Sequence, residues 1–116
     1  IKDNHIALAG GIEKAVKAIT SQADHMTHIS VEVDTLAQFE KVLPFKPNVI
    51  LLDNMSNAHL SQAVALNAGS GITLEASGGV TLETVAGIAA SGVDVISIGA
   101  LTHSATNFDI GLDSTR

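Results

Sequence analysis

"NVILLD" at residues 48–53 and "SNAHLSQAVALNAG" at 56–69 follow one another with only two residues between them. The first is a short run of β-branched and aliphatic residues that closes on a carboxylate, which reads as a strand. Its almost unbroken apolar character predicts a parallel strand covered on both faces. The second has Ser56 where an N-cap belongs and Gly69 where a helix stops. Together they make one strand–helix unit, and the same unit recurs on either side. Strands are predicted at "HISVEV" (28–33), "GITLEA" (71–76) and "VDVISIG" (93–99), with the end of an earlier strand at Ile1 and Lys2. Helical patterns fill the gaps. "GGIEKAVKAITS" puts Ile12, Ala15, Val16 and Ile19 on one stripe, "DTLAQFEKVL" does the same with Leu36, Phe39, Val42 and Leu43, and "TLETVAGIAASG" runs from Thr81 to Gly92.

The fold class is therefore α/β. Strand starts fall roughly 20 residues apart, the spacing of successive units in a doubly wound sheet or an α/β barrel. A closed eight-unit barrel takes about 250 residues. This chain has 116, so it reads as a single domain, 1–116, forming part of a barrel with a parallel sheet. Its opening on Ile1 rather than Met leads us to expect a segment of a larger protein.

Composition narrows the function classes. Apolar residues make up 46 % of the chain, enough for a sizeable core. Cysteine is absent, which excludes disulfides and thiolate metal sites and agrees with a cytoplasmic location. No apolar run is long enough to span a membrane, and the N-terminus has no secretory signal pattern. The formal net charge is −6, and the lysines are scattered without a basic face, so neither nucleic acid nor a membrane is an expected partner.

In α/β folds the site is built where the strands end and the loops lead into helices. Each predicted strand end carries a polar or glycine cluster: Lys2 to His5, then Glu32 and Asp34, then Asp53 and Asn54, then Glu75 and Ser77 to Gly79, then Gly99, Thr102 and His103. Asp34 or Thr35, Ser56 and Thr81 are read as helix caps. Asp53 ends an apolar strand, where a carboxylate needs a cation, a metal or hydrogen-bond donors. Glu32 alternates with Val31 and Val33. If the valines face the helices, Glu32 points into the barrel, where it can join Asp53 in holding Mg²⁺ or form an ion pair with Lys2; the two roles are compatible. His5 and His103 are candidates for positioning a substrate, whereas His25, His28 and His59 read as surface or capping residues. Ser77, Gly78 and Gly79 form either a two-glycine turn or a loop whose N–H groups meet an anion at a helix N-terminus. A second glycine end, Gly99 in "SIGALTHS", favours the anion loop, since barrels use the loops after the final two strands to share one phosphate.

The ordered motifs "IKDNHI", "VEVDTL", "ILLDNM", "EASGGVTLETV" and "GVDVISIGALTHS" followed by "FDIGLD" resemble the quinolinate phosphoribosyltransferase family, also called nicotinate-nucleotide pyrophosphorylase (carboxylating). The resemblance covers essentially the whole chain. It implies a type II phosphoribosyltransferase of NAD biosynthesis that joins quinolinate to 5-phosphoribosyl 1-pyrophosphate with Mg²⁺, giving nicotinate mononucleotide, pyrophosphate and CO₂. It also implies roles for individual residues. Lys2 would contact the substrate carboxylates and phosphate, and Glu32 and Asp53 the ribose hydroxyls and the metal. Ser77, Gly78 and Gly79, with Gly99, Ala100 and Leu101, would bind the 5-phosphate, and His103 would stand near the substrate ring.

The family's substrate-binding arginines and its N-terminal domain would lie upstream, and the first barrel strands with them; Arg116 is the only arginine here. The chain by itself is accordingly expected to lack useful catalysis and to associate with copies of itself. Two other readings stay open at the level of sequence: a pyrophosphorylase-like protein associated with molybdenum transport, and a non-catalytic half-barrel assembly.

Overall fold

β2 (Val49–Asp53) is flanked by β1 (Ser30–Val33) on one side and β3 (Thr73–Ser77) on the other, with β4 (Val95–Ile96) beyond β3. All three pairings are parallel. The computed structural model describes residues 1–103; the predicted "FDIGLD" motif and Arg116 lie outside them. Strand order follows chain order, β1-β2-β3-β4, with none of the reversals that mark a doubly wound sheet. Successive parallel neighbours joined by helices are the arrangement of a barrel wall.

Alternation along the strands sorts the two faces. Val31, Val33, Ile50, Leu52, Leu74 and Ala76 are buried in one hydrophobic cluster. They pack there with Ile12 and Val16 of α2 (Ile12–Gln22), Phe39 and Val42 of α3 (Leu36–Val42), Leu60 and Ala63 of α4 (Asn57–Asn67) and Ile88 of α5 (Leu82–Ala90). The other face is only half-buried: Glu32, Leu51, Asp53, Glu75 and Ser77 alternate with the core residues. The expectation that β2 is covered on both faces is thus corrected. Among the described residues helices cover one side, and Val49 and Leu51 line a partly open inner face.

The predicted caps account for the helix starts. Thr35 Oγ1 accepts the Gln38 N–H, Ser56 Oγ accepts the His59 N–H, and Thr84 Oγ1 accepts the Thr81 N–H in a capping box. Several boundaries moved. The strand expected over 93–99 has ladder pairing only at Val95–Ile96, although the Asp94 and Ser97 N–H groups still bond to the Leu74 and Ala76 carbonyls. β3 extends to Ser77, which carries that hydroxyl into the sheet. Ile19, placed on the buried stripe of α2, is 45 % exposed.

The N-terminus differs most. Ile1 donates its amino group to the Ser30 carbonyl and accepts the Glu32 N–H, the hydrogen-bond pattern of a parallel neighbour of β1. Immediately after it, Asp3–Ala9 form a helix, α1, where the sequence shows only a polar cluster. No residue of α1 is fully buried; half-buried Ile6 packs against the core from it.

Candidate functional site

Because parallel partners share a face, the register fixes which side chains meet on the inner surface. Glu32 pairs with Leu51, Leu51 with Glu75, and Asp53 with Ser77. Asp53 lies two residues beyond Leu51, so both carboxylates emerge on the same face of neighbouring strands at their C-terminal ends. Glu32 accepts a salt bridge from Lys2, with Nζ 3.3 Å from Oε2. The lysine side chain is 68 % exposed and the glutamate 22 %, so the pair is worth at most about 1 kcal/mol and leaves the ammonium available to an anion.

Asp53 meets hydrogen-bond donors rather than a cation. Its Oδ1 accepts the Ser77 hydroxyl at 2.8 Å and its Oδ2 accepts the Asn54 side-chain amide at 2.9 Å. The Asn54 backbone N–H in turn donates to the Ser77 carbonyl at 2.8 Å, tying the turn after β2 to the end of β3.

Ser77 leads into Gly78 and Gly79, both with positive φ, 86° and 59°. A Cβ at Gly78 would run into the Asn54 carboxamide, so this position requires glycine on backbone and spatial grounds alike. Among the described residues the Gly78 and Gly79 N–H groups have no acceptor within the protein, which leaves them open to an anion. α5 follows directly, capped at Thr81. The neighbouring Gly99 leads into the short α6 (Ala100–His103). His103 folds back on this turn, and a Cβ at Gly99 would stand 2.9 Å from its Nε2.

One cleft of about 510 Å³ gathers these groups: Lys2, Glu32, Asp53, Ser77, Gly78, Gly79, Gly99, Ala100 and His103 line it, with Leu51, Val80, Thr81 and Ser97. Leu101 is the exception among the predicted site residues. It does not line the cleft, its side chain is 75 % exposed, and its N–H donates to the Ile98 carbonyl inside the turn. His5 also turns elsewhere, accepting the Lys2 N–H at Nδ1 and lining an apolar groove with Ile1, Ile19 and His28. His25, His28 and His59 are exposed.

Sequence reasoning gave no role to Asn54 or Ser97. Ser97 lines the cleft and donates its hydroxyl to Glu75 on the inner face. Among the described residues no three His, Asp or Glu side chains cluster to hold a metal, so any ion would need ligand oxygens to complete its shell. A second, smaller cleft of about 310 Å³ on the α1 side is lined by Glu32 and Asp53 with Asp3 and Asp34. No described helix is long and apolar enough to cross a membrane.

Comparison with known proteins finds relatives along nearly the whole chain. The chain is 42 % identical over 115 residues to the nicotinate-nucleotide pyrophosphorylase [carboxylating] of Mycobacterium leprae, spanning 97 % of this chain and 40 % of that protein. It is 35 % identical to the human enzyme of the same name, spanning 97 % and 38 %. It thus covers well under half the length of these curated relatives. The crystal structure of the nicotinate-nucleotide pyrophosphorylase from Ehrlichia chaffeensis superposes with a TM-score of 0.85 at 43 % identity, over 97 % of this chain and 40 % of that one. The profile described as "Quinolinate phosphoribosyl transferase, C-terminal domain" matches residues 1–113. A match of that extent places the chain in the quinolinate phosphoribosyltransferase family.

Proposed function

We propose that the chain forms the phosphoribose-binding part of an enzyme that transfers a phosphoribosyl group from 5-phosphoribosyl 1-pyrophosphate to quinolinate. The products are nicotinate mononucleotide, pyrophosphate and CO₂, in the synthesis of NAD. The observation that carries this reading is the single cleft in which the open Gly78–Gly79 turn and the neighbouring Gly99 turn face two carboxylates and a lysine.

The division of labour follows from charge. The Gly78 and Gly79 N–H groups, Ser77 and the start of α5 receive the 5-phosphate, with Gly99 and Ala100 completing the cradle. Glu32 and Asp53 accept hydrogen bonds from ribose hydroxyls and stabilise the positive charge that develops at the anomeric carbon as pyrophosphate departs. Lys2 contacts the acceptor's carboxylates, and His103 stands beside its ring. Positioning and electrostatics supply the rate, and no protein nucleophile is required.

Glu32 and Asp53 fit Mg²⁺, being hard oxygen donors on one face whose remaining partners would come from substrate and water. The ion, when bound, neutralises charge on the leaving pyrophosphate.

Among the described residues, Lys2 is the one lysine or arginine lining the cleft. Substrates with many negative charges need more cations than that, so the 116 residues alone turn over too slowly to be useful. The half-covered inner face, with Val95 43 % exposed at the β4 edge, supports self-association. Three experiments test these readings. Calorimetric titration of the chain with ribose 5-phosphate should give saturable, one-site binding, and absence of binding contradicts the site. Incubation with quinolinate, phosphoribosyl pyrophosphate and Mg²⁺ should give negligible nicotinate mononucleotide. Robust turnover, or a monodisperse monomer by light scattering, contradicts the corresponding statement.

A further inference from the structure

Asn54 is exposed, stands outside every role assigned above, and adopts a backbone conformation that residues with a Cβ seldom take, at φ 52°. Asparagine is among the few side chains that tolerate it. That conformation lets one residue make three contacts at once. Its N–H reaches the Ser77 carbonyl at 2.8 Å, its Nδ2 reaches Asp53 Oδ2 at 2.9 Å, and its carboxamide fills the space beside Gly78. The amide orientation is set by the network, because the reverse orientation would turn its oxygen onto the Asp53 carboxylate.

The consequence falls on Asp53. Rotation of a carboxylate about its last torsion is soft, so an aspartate with one partner can swing. Here each oxygen has its own donor, Ser77 on Oδ1 and Asn54 on Oδ2, and both donors are fixed to the end of β3. We infer that Asn54 is a positioning residue: it clamps the rotation of the Asp53 carboxylate, holds the β2 and β3 exits in register, and makes glycine obligatory at 78. The clamp itself stands on the geometry. Its effect on ligand binding rests on the proposed function.

Asn54→Gly and Asn54→Asp both accept the left-handed backbone while removing the amide donor, which separates a backbone role from the clamp. Two readouts are made on the full chain. In calorimetry, Asn54→Gly should weaken ribose 5-phosphate binding about fivefold or more while changing inorganic phosphate binding less than about twofold, since Asp53 serves the sugar and the glycine turn serves the phosphate. Equal loss for both probes, or no loss for either, overturns the positioning role. In urea denaturation without ligand, Gly78→Ala should shift the unfolding equilibrium constant at least about fivefold more in the wild-type background than in the Asn54→Gly background. If Gly78→Ala alone does not fold, recovery of a cooperative transition in the double variant supports the clamp equally. Additive effects overturn it. Should the wild-type chain bind neither probe, the functional reading fails and the denaturation cycle still decides the clamp.

Discussion

The Asp53 carboxylate accepts the Ser77 hydroxyl at 2.8 Å, joining the ends of two neighbouring strands at the point where the candidate site begins. An aspartate that was simply a strand terminator would face solvent. This one is oriented by the strand beside it, and the residue that orients it also opens the glycine turn.

Removing the charge while keeping the shape tests that arrangement. Asp53→Asn should weaken ribose 5-phosphate binding about tenfold, or ~1.4 kcal/mol, and Ser77→Ala should do so less. Because the two side chains touch, the double variant should depart from additivity by about 0.5–1 kcal/mol in a calorimetric double-mutant cycle. Strict additivity contradicts the coupling.

The glycine turn gives a comparison within one molecule. Gly71 and Gly78 both have positive φ, 79° and 86°, but a Cβ at Gly71 meets nothing while one at Gly78 meets Asn54. Gly71→Ala should lower stability by about 1 kcal/mol through backbone strain, and Gly78→Ala by about 2 kcal/mol or more. Urea midpoints measure both, and equal losses contradict the spatial argument.

Core packing should separate Phe39 from Ile19. Phe39 is fully buried against the helix side of the sheet, so Phe39→Ala should cost about 3–5 kcal/mol. Ile19, 45 % exposed, should cost less than about 1 kcal/mol when shortened to alanine. A large loss at Ile19 under thermal denaturation would show that some other surface covers it.

Two exposed carboxylates contribute to the acid limb. The Thr27 hydroxyl, helped by the Met26 N–H, holds the Asp24 carboxyl below its ordinary value, and Thr81 does the same for Glu83. A folded-state pKa that is depressed adds stability above the unfolded value, about 3.9 for Asp and 4.3 for Glu, and that stability disappears as pH falls through the lower folded value. Melting temperature should therefore decline below about pH 4. Asp24→Asn should flatten that decline, and an unchanged profile in the variant contradicts the assignment.

What could be read from the sequence was what repeats. The apolar runs at 48–53 and 71–76 each meet a helix cap a few residues later, so the parallel α/β order, the buried alternation of Val31 and Val33, and the polar strand ends all follow from periodicity and capping. Glu32 and Asp53 were legible for the same reason, since a carboxylate on an apolar strand has few reasons to be there. Elements with no period were not legible. α1 buries no residue fully and sets only half-buried Ile6 against the core, too little to announce a stripe, and the β4 ladder covers only Val95 and Ile96. Asn54 could not be found because its contacts reach Ser77 and Gly78, which lie more than twenty positions away and meet it only once the sheet has formed. Leu101 follows the Gly99 turn in sequence but is exposed and does not line the cleft.

The central claim is that the two glycine turns form one receptor for a phosphorylated sugar. Titrating the isotopically labelled chain with ribose 5-phosphate, while following backbone amide resonances, tests it residue by residue. The account predicts that the amides of Ser77, Gly78, Gly79, Gly99 and Ala100 shift together along a single saturating curve, with Leu101 little changed. Shifts confined to one of the two turns, or centred on the groove around His5 and His28, would contradict it.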